Sequence, residues 1–164
     1  MNNNRGGSVK FPAVLTKPSI LHGWRFLQVF EENDDEALII KPVVTDEGPS
    51  IAINPELLSV EALESPETAR IWLPLSLHHI CHVVLQECLD AKDIFGRFTS
   101  DRWKEFFKVA EANTSMEWSE ILSIAKREGV HYMSDYVASC LFVESGIQDK
   151  ILARLSGARR LKIA

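Results

Sequence analysis

Apolar positions change their period part-way along this chain. From Trp24 to Phe30, Trp24, Phe26 and Phe30 alternate with Arg25, Leu27 and Val29, and the two-residue period predicts a strand with apolar groups on both faces. Residues 31–36, Glu-Glu-Asn-Asp-Asp-Glu, are turn formers and repelling charges. A β-rich pattern resumes over Ala37–Val44, which predicts a hairpin with a longer loop. Pro42 lacks the N–H an inner strand must donate, so the second run belongs at a sheet edge. Ser50–Ile53, after the Gly48-Pro49 turn, reads as a third short strand.

Beyond Ile53 the period becomes helical. Asn54-Pro55 and Ser65-Pro66 each set a capping side chain before a proline suited to the first helical position, so a helix is expected to start at each. The second should run to about Ala91, with Pro74 kinking or restarting it. Trp103, Phe106, Phe107 and Ala110 share one face of a helix over Asp101–Ala112, with Arg102, Lys104, Glu105 and Lys108 along its solvated rim. Thr114-x-x-Glu117 has the form of a capping box ahead of Trp118, Ile121, Leu122 and Ala125. Gly129, Gly146 and Gly157 are helix stops. The fold class expected is α+β: a small N-terminal antiparallel hairpin or three-stranded sheet, then five or six helices. Residues 1–10, polar and glycine-rich, are expected to form a disordered leader. Residues 11–164 form one domain, β-rich over 20–53 and helical over 55–164.

Charge adds a feature that the periodicity does not carry. Residues 31–67 hold eleven Asp and Glu against one Lys, whereas residues 150–164 hold five Lys and Arg and no acid. The net charge of −5 therefore hides two ends suited to different neighbours. The acidic lobe, with Glu31, Glu32, Asp34, Asp35 and Glu36, is expected to face a protein with a basic surface.

Within the basic end, Gly146-Ile147-Gln148-Asp149-Lys150 follows one amphipathic segment and opens another. Gly146, Ile147, Leu152 and Leu155 stand where a turn glycine and three packing residues stand in a known motif. The segment Phe142–Leu161 resembles the helix-turn-helix of Cro- and phage-repressor-like DNA-binding domains. The resemblance implies that Gln148, Asp149 and Lys150 open a recognition helix toward base edges. It also implies that Arg154, Arg159 and Arg160 meet phosphates, and that Leu152 and Leu155 pack the second helix on the first.

Candidate chemistry is sparse. His78 and His82 lie four apart on one helical face with Cys81 beside them, a spacing compatible with metal ligation, but no neighbouring cluster of Cys or His supplies the remaining ligands. The expectation is therefore no metal and no cofactor. The zincin pattern fails because His79, not Glu, follows His78. There is no nucleophile elbow, phosphate loop or dinucleotide fingerprint, so an enzyme is not expected. Three cysteines without paired spacing, and no apolar run of membrane-spanning length, point to a cytoplasmic protein without disulfides or membrane contact. The functional reading is a non-catalytic macromolecule-binding protein, an adaptor, assembly factor or inhibitor. The alternative is a small DNA-binding transcriptional regulator.

Overall fold

The computed structural model describes residues 14, 15, 24–32 and 39–161. It has the α+β layout: a small sheet followed by six helices. Strands β1 (Val14–Leu15), β2 (Gln28–Glu31), β3 (Ile40–Thr45) and β4 (Gly48–Ile53) form a four-stranded sheet of order β1-β2-β4-β3. The expected leader, residues 1–10, lies outside the described residues.

The sheet departs from the expected hairpin in its pairing. β3 turns through Asp46 and Glu47 into β4, with Thr45 opposite Gly48, and β2 pairs with the far side of β4 in parallel, Val29 opposite Ile51. β4 is thus an inner strand, and all six of its residues are buried. β3 is the edge strand that Pro42 requires.

Helix ends follow their caps in some places and not in others. Asn54 does not open a helix. Its Oδ1 accepts from the Glu56 N–H in a turn, and the first helix, α1 (Val60–Leu63), is capped instead by Ser59, which accepts from Ala62 N–H. Ser65 caps α2 (Pro66–Asp90), which runs unbroken through Pro74. Ser100 caps α3 (Asp101–Thr114). The capping box expected at Thr114 is absent, because Thr114 is the buried last residue of α3 and donates to the Ala110 carbonyl. Ser115 takes the left-handed conformation instead, and Glu111 reaches forward to accept from the Trp118 N–H at the start of α4 (Trp118–Glu128). Gly129 and Gly146 separate α4, α5 (Val130–Glu144) and α6 (Ile147–Leu161), both at positive φ. Gly157 lies within α6 and does not stop it.

The core joins the sheet to the helices. Phe26, Phe106, Trp103, Phe98, Phe107 and Trp118 form a chain of ring contacts from the sheet side to α4, with centroid separations of 4.5–6.3 Å. Each tryptophan N–H has an acceptor: Trp24 the Glu144 carboxylate, Trp72 the Leu63 carbonyl, Trp103 the Thr45 carbonyl and Trp118 the Ile94 carbonyl.

Arg102 is not on a solvated rim. Its Nε donates to the Phe26 carbonyl, and its Nη2 donates to the Pro49 carbonyl and the Ser50 hydroxyl. Burial pulls its pKa below the ordinary arginine value, and the Glu47 carboxylate opposes that shift. Gly48 admits this side chain: a Cβ there would stand 2.7 Å from Arg102 Cζ and Nε.

Candidate functional site

The C-terminal helix was the sharpest local pattern in the sequence. Gly146 makes the turn into α6 at φ 67° and Ile147 is buried, as the resemblance implies. Leu152 and Leu155, however, are 60% and 59% exposed, so they do not pack α6 against α5. Gln148 and Asp149 are exposed and Lys150 is half-buried. Arg154 reaches α2, where its Nη1 donates to both carboxylate oxygens of Glu67 at 2.9 Å. A hydrogen bond from Glu67's own backbone, and then Arg154, lower the Glu67 pKa. Arg159 and Arg160 belong to the last turn of α6.

One turn beyond Glu67 on α2 stands Ile71, 64% exposed, and a further turn on stands Leu75, 70% exposed. The Glu67–Arg154 pair therefore ties the first turn of α2 to α6, and each helix carries exposed apolar side chains, Ile71 and Leu75 on α2 and Leu152 and Leu155 on α6. Of the acidic lobe, Glu31 ends β2 and is exposed, and Glu32 donates its backbone N–H to the Ile53 carbonyl. Asp34, Asp35 and Glu36 lie outside the described residues.

The same α2 row continues into His78 and His82, and here the packing brings together what the sequence keeps apart. α5 packs on α2 by a buried stripe of Met133, Ser134, Val137, Ala138 and Leu141, in which two small side chains are included. His131 and Asp135, four apart like the α2 pair, border that stripe. The rings of His78 and His131 meet edge to face at 4.8 Å between centroids, and His82 lies 6.1 Å from His78 and 6.3 Å from His131. Asp135 sits between two of them: Oδ1 is 2.8 Å from His78 Nδ1 and Oδ2 is 3.8 Å from His131 Nε2.

Proximity has not produced hydrogen-bond alignment, and among the described residues the Nδ1 atoms of both His78 and His82 are buried without a hydrogen-bond partner. The donors missing from the linear motif are thus present in space. Sequence reasoning missed His131 and Asp135 because they belong to another helix; the recurring four-residue spacing was the available signal. Cys81, in contrast, is fully buried on the core side of α2 and takes no part. Burial pushes its thiol pKa well up, and pushes that of Cys88 up to about 11, so both act as small core hydrophobes.

An open cleft of about 400 Å³ lies between α3 and the segment preceding it, floored by Phe95, Phe98 and Phe107. Lys104, Lys108, Asp93 and Glu111 also line it, two cations and two carboxylates. Among the described residues no helix is long and apolar enough to cross a membrane. Compared with models of known protein families, with curated proteins and with solved structures, the chain matches none.

Proposed function

We propose that this is a non-catalytic macromolecule-binding protein, an adaptor, assembly factor or inhibitor, that joins partners through two oppositely charged ends. The observation that carries this reading is the exposure of Leu152 and Leu155, three residues apart on one face of α6, together with the exposed Ile71 and Leu75 of α2. Apolar side chains grouped on an outer face and mixed with cations suit a protein partner that offers apolar and acidic groups. The acidic lobe at the other end suits a partner with a basic surface.

The test is affinity capture after nuclease treatment, comparing the natural chain with Leu152→Ser/Leu155→Ser and with Glu31→Lys/Glu32→Lys. Each pair of substitutions should remove a different captured protein while leaving the melting temperature unchanged. Captured proteins identical across all three baits would overturn the reading.

A second reading, DNA binding by α5 and α6, is favoured by the Gly146 turn and the buried Ile147. It requires duplex binding that falls steeply as salt rises, because phosphate contacts release counterions. Against it stand the outward Leu152 and Leu155, and the engagement of Arg154 by Glu67. Mobility shifts with random duplex at low and moderate salt separate the two readings.

A further inference from the structure

The polar groups between the outer edges of α2 and α5 are poorly served by one another. His78 and His82 are only partly exposed, and each has a buried ring nitrogen without a hydrogen-bond partner. Buried polar atoms are nearly always paired, but His78 Nδ1 has only the Asp135 oxygen at 2.8 Å, out of hydrogen-bond alignment, and His82 Nδ1 has no partner among the described residues, so the two neighbouring rings call for a missing one. Three neutral imidazoles and one carboxylate are the nitrogen and oxygen donors preferred by divalent ions of the zinc group.

We propose that His78, His82, His131 and Asp135 form a binding site for one divalent transition-metal ion of the zinc class. The geometry is close to what such an ion needs. One ring nitrogen from each histidine lies within 4.8 Å of the others. Metal–nitrogen bonds of about 2.0–2.1 Å in a tetrahedral shell separate the ligand atoms by about 3.3 Å, a contraction on the scale of side-chain rotation.

The Asp135 oxygens, 2.8 and 3.8 Å from nitrogens of two of the rings, already bracket that spacing. They add the negative charge that three neutral imidazoles lack. Each helix contributes two ligands four residues apart, which places both on one face, and the buried stripe of α5 holds the two pairs opposite each other. The ion would therefore pin α2 to α5 at the end of the exposed apolar row. His79, exposed and one residue further round α2, is outside the ligand set.

The decisive measurement is zinc titration of the full, untagged chain after chelator treatment, followed by calorimetry and elemental analysis, with cobalt(II) as a spectroscopic replacement. One equivalent per chain is expected, with a rise in melting temperature and the visible absorption of four-coordinate cobalt. His82→Ala, His131→Ala and Asp135→Asn should each lower affinity at least tenfold. His79→Ala should bind as the natural chain does. His131 is exposed, so its variant tests the site without testing the fold, and unchanged circular dichroism confirms this. Failure of the natural chain to bind zinc, or equal affinity in His82→Ala/His131→Ala, overturns the proposal. The capture experiments on α6 are independent of either result.

Discussion

Two boundaries between elements gather polar side chains, and they resolve them in opposite ways. At the start of α3, Ser100, Arg102 and Trp103 each donate to carbonyls of the β3–β4 hairpin or of the strand approach, so their donors are spent on holding sheet to helix. At the outer edges of α2 and α5, His78 and His82 stand beside His131 and Asp135; the His78 Nδ1 contact with Asp135 is out of hydrogen-bond alignment, and His82 Nδ1 has no partner among the described residues. The first arrangement is a clasp, complete within the chain. The second is incomplete among the described residues, and an unsatisfied constellation is where a fold can give up stability for a ligand.

Breaking the clasp should cost the most. Trp103 is fully buried and its ring meets Phe98, Phe106 and Phe107. Trp103→Ala should destabilise by about 3–5 kcal/mol, through lost burial and a cavity, with the Thr45 carbonyl losing its indole donor. Chemical denaturation measures this as a lower midpoint, and a loss below about 1 kcal/mol would mean that α3 is not seated on the sheet.

Arg102→Met comes next. It keeps much of the apolar stem but leaves the Phe26 and Pro49 carbonyls without their shared donor, at a cost of about 2 kcal/mol. A solvated arginine on the helix rim would cost nothing measurable, so the same denaturation experiment decides between the two placements.

The histidine edge should respond with the opposite sign. His82→Leu removes a buried nitrogen that has no partner, so in metal-free buffer the variant should be equal to the natural chain or up to about 1 kcal/mol more stable. Adding zinc should reverse that order. A loss of several kcal/mol without metal would place His82 among the structural groups, alongside Arg102.

These two boundaries also mark how far the sequence could be read. Local signals worked where one side chain acts on its own turn: Ser65 before Pro66, Gly129 and Gly146 at positive φ, Pro42 on an edge strand. They failed where the outcome depended on a distant partner. The parallel pairing of β2 with β4 skips over β3, and nothing in either strand names its neighbour. Arg102 looked like part of a solvated rim because its acceptors come from residues 26, 49 and 50. His131 and Asp135 carry the same four-residue spacing as His78 and His82, but only the packing of α5 on α2 makes the two pairs one cluster. Thr114 misled for a local reason: Glu111 serves the Trp118 N–H from the preceding helix, which frees Thr114 to end α3.

The smallest effect on stability is expected at Leu152 and Leu155, and its smallness is what gives it value. Packed between helices, either leucine would cost about 2–5 kcal/mol on truncation. At 60% and 59% exposure, Leu152→Ser and Leu155→Ser should each change stability by no more than about 0.5 kcal/mol. A null result in denaturation, with partner capture lost, would assign these side chains to binding, because removal of surface that buries nothing in the free chain can weaken only a contact made outside it. A large loss of stability would instead return α6 to the packed geometry that a helix-turn-helix requires, and Gln148 and Lys150 would then become the residues to mutate for sequence preference in a duplex.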